Sequence, residues 1–267
     1  MTFYVLHLDL LPTYHRPMTP DDFPIPRSQT GALGLILRAV ARGGYAWHSV
    51  QTAPEERILV ALGKLHEKHR ILINRMGRHA RREAGLPVAY LVLGPEPREG
   101  RWPLVLLSTQ RLEGENMHRV TDPHRPLTWP AWRAGEWRPT YVLRRDPDRR
   151  KWTWYLGDDF YRELLEEALH WTQKGDWPRV VAHLRMIGTL PLFHGVWEQA
   201  HEIRRRVQRL WGDRHLRDPG GQWKAPPWRK VLEEWPGRPF SINVRIWRDE
   251  PPRTVGEWLE INKGGSR

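Results

Sequence analysis

The sequence predicts an α+β fold. A small mixed sheet with two helices occupies the N-terminal half, an antiparallel three-helix unit follows, and a proline- and tryptophan-rich tail with little regular structure ends the chain. Three observations lead there. Short apolar runs bounded by glycine and proline dominate residues 1–156 and read as strands. From Asp158 to Trp211 the apolar residues recur at helical spacing with short breaks between segments. Beyond Gly212 aliphatic residues thin out, while Trp223, Trp228, Trp235, Trp247 and Trp258 accumulate among prolines and arginines. The expected units are a basic α+β domain at 1–156, three helices at 157–212, and a tail at 213–267 that wraps onto the rest.

Residues 3–10 alternate around apolar positions and predict a strand, followed by a proline-rich loop over 12–26. In QTGALGLILRAVARGG, Leu33, Ile36, Leu37 and Val40 share one helical face, and Gly43-Gly44 supply the stop. A second helix is expected from Thr52, whose spacing to Glu55 is that of a capping box, with Pro54 in the first turn. Ile58, Leu59, Leu62 and Leu65 form its buried stripe, and a basic segment continues from its end. Further strands are expected at 88–93, 103–108, 140–143 and 152–156. Asp158 or Asp159 should cap the next helix, with Phe160, Leu164, Leu165, Ala168 and Trp171 inward and Gly175 at its end. Asp176 caps another, with Pro178 in its first turn and Val180, Val181, Leu184 and Ile187 inward. A third, about 195–211, buries Val196, Ala200, Ile203, Val207 and Leu210, and Gly212 is expected to end it. The tail should add one strand at 240–247.

Charge is the strongest functional signal. Lysine and arginine number 43 against 31 acids, a formal charge of +12. Lys64, Lys68, Arg70, Arg75, Arg78, Arg81 and Arg82 fall within one short segment that holds only Glu67 and Glu83 in return. A second run comprises Arg204, Arg205, Arg206, Arg209, Arg214 and Arg217. Uncompensated charge of this density favours polyanionic partners, and arginine's planar fork suits phosphate and base stacking. Sixteen tryptophans, several beside arginines, add aromatic faces for unpaired bases. Trp223 and Trp228 are the expected exposed stackers, whereas Trp235 and Trp247 are expected to pack. The competing reading is intramolecular, with cation–π pairs and core filling. The 24 prolines and the scarcity of asparagine fit a thermophilic source, though GC-rich coding would produce much of the same bias, the excess of arginine included.

Several chemistries are excluded. With no cysteine there is no disulfide, thiolate metal site or cysteine nucleophile. No apolar run approaches the roughly 18 residues of a membrane span, and the N-terminus lacks a basic leader and a small-residue cleavage site. A cytoplasmic protein with no membrane partner and no cofactor is expected. Gly31 and Gly34 lack the following Lys-Ser/Thr of a phosphate loop.

The candidate catalytic and metal-ligating residues are few. His7 and Asp9 lie two apart on one strand face, a pairing that can ligate a metal or poise a base; the alternative is a solvated pair at a sheet edge. Glu167 with His170, and Glu198 with His201, have the Glu-x-x-His spacing that places two ligands on one helical face, though both spacings also arise by chance. Tyr161 near Asp158 and Asp159 could act as a nucleophile, but the acids read better as a helix start. His118 and His124 flank an exposed turn. Arg209 and His215 satisfy the Arg-x(4–6)-His spacing and so resemble the motif of HEPN ribonucleases.

Two further resemblances concern longer segments. FPIPRSQTGALGLILRAVARGG resembles the early part of CRISPR-associated RAMP proteins, which implies a ferredoxin-like RNA binder with Arg27, Ser28 and Gln29 on the RNA backbone. GPEPREGRWPLVLL, RKWTWYL and LPLFHGVWEQ, in that order, look like a family of uncharacterised proteins on plasmids and integrative elements of thermophiles, cyanobacteria and proteobacteria. That resemblance implies a mobile-element or defence setting and carries over no site residues. The leading expectation is a nucleic-acid-binding protein (DNA or RNA). The alternatives are a nuclease or nickase, and a structural subunit that docks other protein subunits through its tail.

Overall fold

A computed structural model describes residues 18–133, 136–215 and 247–263. It shows an α+β protein. The expected mixed sheet is resolved as two sheets, each antiparallel throughout. The first contains β1 (Trp47–Pro54), β2 (Ala89–Leu93), β3 (Arg101–Ser108) and β4 (His118–Arg119), in the order β2-β3-β1-β4. The second contains β5 (Thr128–Arg133), β6 (Glu136–Arg145) and β7 (Trp152–Leu156), in that order. The strand expected at 3–10 lies outside the described residues.

The first sheet is a middle layer, and its sequence says why. Side chains alternate between faces along a strand. Trp102, Leu104 and Leu106 of β3 enter one core cluster, whereas Val105 and Leu107 enter the other. On β2, Leu91 and Leu93 join the first group and Val92 the second. A strand covered on both faces reads as a continuous apolar run, as WPLVLL does. Helix α1 (Gln29–Gly43) covers one face, and helix α2 (Ile58–His69) the other. Helix α1 begins at Ser28, whose hydroxyl accepts from the Gly31 N–H, and stops at Gly44 in the left-handed conformation, φ 68°.

The capping box expected at Thr52 does not form. Thr52 lies in β1 opposite Pro103, and its hydroxyl accepts from Arg101 Nε at 3.0 Å. A 3₁₀ turn at Glu55–Arg57 intervenes before α2, which starts at Ile58 with no side-chain cap. Arg70, in the left-handed conformation, closes α2, and the basic segment then forms a helix of its own, α3 (Arg75–Glu83). Asn74 caps it by accepting from the Gly77 N–H at 2.8 Å.

Helices α4 (Asp158–Lys174), α5 (Trp177–Gly188) and α6 (His194–His215) form the expected three-helix unit. Gly175 ends α4 in the left-handed conformation, and Asp176 caps α5 through the Arg179 N–H. Asp158 and Asp159 stand in the first turn of α4 and do not cap it; the N-cap position is Gly157. Gly212 does not end the third helix, which continues to His215. One glycine costs a helix only about 1 kcal/mol. Trp211, buried edge-on against Trp177 at 4.2 Å, holds that turn on α5. The larger core cluster is continuous from α1 through β5–β7 to α4–α6.

Among the described tail residues, Trp247 bridges to Pro26 and Thr254 to Pro24. An unexpected helix, α7 (Val255–Lys263), returns to the body. Its Thr254 hydroxyl accepts from the Glu257 N–H at 3.3 Å, Val255 is fully buried, and Trp258 packs edge-on against Trp102 at 5.5 Å. Trp247, the last residue of the strand expected at 240–247, is half-buried against the larger core. No helix of the described residues is long and apolar enough to cross a membrane.

Candidate nucleic-acid interface and an Asp-His-Glu cluster

The basic segment divides by what its cations touch. Lys68 pairs with Glu115 at 3.0 Å, and His69 meets the same oxygen at 2.9 Å. Burial opposes ionisation of Glu115, but the hydrogen bonds from His69 and Lys68 outweigh it and hold the carboxyl below its usual range. Lys64, Arg70 and Arg75 are exposed and meet no carboxylate among the described residues. Arg78, Arg81 and Arg82 each donate to a backbone carbonyl, of Ile73 (2.7 Å), Pro87 (3.1 Å) and Gly43 (2.9 Å) respectively. The first two bonds close on the segments flanking α3 and the third ties it to the end of α1; none cancels a guanidinium's charge, because a carbonyl carries no net charge.

Two arginines not singled out from the sequence complete the patch. Arg78 lies over Tyr90 at 5.6 Å and Arg82 over Tyr45 at 5.2 Å, and the two tyrosine rings are 5.8 Å apart. Arg38, on α1, acts on Tyr90 too, and burial together with the like charge of Arg42 lowers its pKa. Burial pushes the Tyr90 hydroxyl up to about 12 despite the arginines around it. Three guanidinium groups from α1 and α3, those of Arg38, Arg78 and Arg82, thus act on two tyrosines, with Arg42 beside Arg38. Helical spacing could have revealed Arg38 and Arg42, four apart on one face of α1; their meeting with α3 required the fold.

Within the second arginine run, one carboxylate is shared by two arginines. Arg205 and Arg206 both reach Glu202 at 2.9 Å, and the hydrogen bond from Arg206, with Arg205 and Arg209 nearby, lowers the pKa of Glu202. Arg204 is half-buried. Arg209 and His215 stand six residues apart on one continuous helix, roughly a third of a turn out of line at 100° per residue. Among the described residues the tryptophans serve the core: Trp102, Trp129, Trp154 and Trp211 are buried, and others pack against it half-buried. Trp171 is flanked by Arg179 at 4.1 Å and Lys174 at 5.5 Å. His7, Asp9, Arg217, Trp223, Trp228 and Trp235 lie outside the described residues.

Neither Glu-x-x-His pair comes together as drawn from the sequence. Glu167 accepts from Trp171 Nε1 at 3.3 Å and faces His183 at 3.5 Å, while His170 stacks edge-on with Trp171. Glu198 turns the other way along α6, to His194, and His201 packs on Trp197 at 4.0 Å. His194 Nε2 lies 2.9 Å from Glu198 and 3.6 Å from Asp146. The ligand atoms of Asp146, His194 and Glu198 all fall within 4.8 Å of one another.

Local structure explains the cluster. Asp146 begins the β6–β7 hairpin, and its Oδ1 accepts from the N–H groups of Asp148 (3.0 Å) and Arg149 (2.7 Å). These bonds lower its pKa, the Arg149 N–H contributing most. Gly195 lets the start of α6 rest directly on β7: a Cβ there would stand 2.6 Å from the Trp154 carbonyl oxygen. Tyr155 completes the surroundings, its pKa raised to about 12 by burial and by the charges of Asp146 and Glu198. The i,i+4 spacing of His194 and Glu198 was legible; Asp146 is distant in sequence and was not. Comparison with family models, curated proteins and solved structures finds no match to this chain.

Proposed function

We propose that the protein binds nucleic acid through the phosphate backbone, on the face where α1 meets α3. The observation that supports this is the gathering of arginines at Tyr45 and Tyr90: Arg78 and Arg82 lie over the rings, Arg38 acts on Tyr90, and Arg42 stands beside Arg38 as a like charge. Like charges held together and partly desolvated are costly by themselves and become favourable when an anion joins them. Lys64, Arg70 and Arg75 extend the positive surface along α2 and α3. Tyr45 is buried and Tyr90 half-buried beneath guanidinium groups, so bases find no free ring at this patch and contact is to phosphate. Such contacts position a strand without reading its sequence. The mobile-element or defence setting rests on sequence resemblance.

Fluorescence anisotropy with labelled single-stranded and duplex oligonucleotides, over a series of salt concentrations, tests the reading. Log affinity should fall linearly with log salt. Replacing Arg38, Arg42, Arg78 and Arg82 together by glutamine should weaken binding to all sequences alike and reduce the slope by roughly 3. A folded quadruple variant with unchanged affinity and slope would refute it.

A further inference from the structure

We propose that Asp146, His194 and Glu198 form a site for one divalent first-row transition ion, Zn²⁺ or Mn²⁺. One imidazole and two carboxylates are the donors that such ions accept. Protein ligands at roughly 2.0–2.2 Å from a metal stand roughly 3–3.6 Å from each other. The separations here are 2.9 Å from His194 Nε2 to Glu198, just under that range, and 3.6 Å to Asp146, at its upper end, with all three ligand atoms within 4.8 Å of one another.

An ion pair alone does not account for the geometry. Both ring nitrogens of His194 are sealed from solvent, and neither makes a hydrogen bond. The Glu198 oxygen is close to Nε2 but off the line of any N–H there. Asp146 approaches the same nitrogen, and one N–H cannot point at two carboxylates. A cation on the Nε2 lone pair binds both at once. A buried polar atom without a partner costs about 1–3 kcal/mol, and metal ligation removes that cost at Nε2. Asp146 is 95% buried; two backbone N–H groups hold its Oδ1, the Tyr155 hydroxyl also bonds the carboxylate, and Oδ2 is the oxygen that faces His194.

Arg144 pairs with Asp158 at 3.3 Å, and Arg145 Nε donates to the Arg150 carbonyl at 2.8 Å. Arg149 contributes its backbone N–H to Asp146, and its charge also favours the ionised carboxylate. Three protein ligands leave at least one coordination position for water or an exogenous ligand.

The test is calorimetric titration of the chelator-treated, dialysed full chain with Zn²⁺ and separately with Mn²⁺, alongside Tm with and without each ion. Wild type should take up one equivalent and gain in Tm. Glu198→Gln should bind at least 10-fold more weakly, and His194→Ala should lose the equivalent; His170→Ala should match wild type. The Glu198 side chain is half-exposed, so Glu198→Gln should melt like wild type in chelator, which separates loss of a ligand from loss of fold. No saturable equivalent in wild type, or equal binding by wild type and Glu198→Gln, would overturn the proposal.

Discussion

The indole Nε1 of Trp154 donates to the backbone carbonyl of Leu33 at 2.9 Å, both residues fully buried. This bond joins β7 to α1 and so connects the sheet that carries the Asp146 hairpin to the helix that carries Arg38 and Arg42. Buried indoles generally find such an acceptor. Replacing Trp154 by phenylalanine removes the donor and leaves a gap where the second ring was. A loss of about 2–3 kcal/mol is expected, measured by urea denaturation.

Two glycines predict opposite outcomes for the same substitution. At Gly195 an added Cβ meets the Trp154 carbonyl at 2.6 Å and the Tyr155 ring at 2.7 Å, while at Gly34, within α1, it meets nothing within 4 Å. Gly34→Ala should stabilise the protein by about 0.5–1 kcal/mol through helix propensity. Gly195→Ala should cost about 1–3 kcal/mol, because α6 must lift from β7. Equal melting temperatures for the two variants would contradict this packing.

Stability should decline between neutral and mildly acidic pH because of His48. Burial depresses its pKa from 6.5 to about 4, with His118 adding to the shift and the Arg125 carbonyl and Asp122 opposing it. Above 6.5 the imidazole is neutral whether the chain is folded or unfolded. Between 6.5 and 4 the unfolded chain gains a proton that the native state refuses, so native stability falls as pH falls, by up to about 3 kcal/mol. Below about 4 both states are protonated and this loss stops. Thermal melts at pH 7.5 and 5.0 should show the decline in wild type and a smaller one in His48→Gln.

Trp258 should prove structural. Its ring packs on Trp102, and its Nε1 donates to Glu55 Oε1 at 2.9 Å. Trp258→Ala is expected to cost about 2–3 kcal/mol and to expose Trp102 to water. The readout is a lower urea midpoint with a red-shifted emission maximum; oligonucleotide affinity at low denaturant should be unchanged.

Three stretches of this chain share one local signal and meet different fates. Thr19-Pro-Asp-Asp22 forms a reciprocal capping box on a 3₁₀ turn. Thr254-Val-Gly-Glu257 starts α7, with the Thr254 hydroxyl on the Glu257 N–H. Thr52-Ala-Pro-Glu55 starts nothing, because β3 claims Thr52 for the sheet ladder. What the sequence determined alone were features whose causes lie within a few residues or one helical turn. They include the Asp176 cap, the Gly44 and Gly175 stops, the apolar faces of α1, α4, α5 and α6, and the charge density of α3. Tertiary structure decided whatever depends on partners far along the chain. It made β1 a strand, carried α6 past Gly212 on the buried Trp211, and gathered Arg38 and Arg42 with Arg78 and Arg82. It also set Asp146 beside His194. The physical reason is range: caps and periodicity act through neighbouring backbone groups, whereas strand pairing and the meeting of charges depend on which distant surfaces the core brings together.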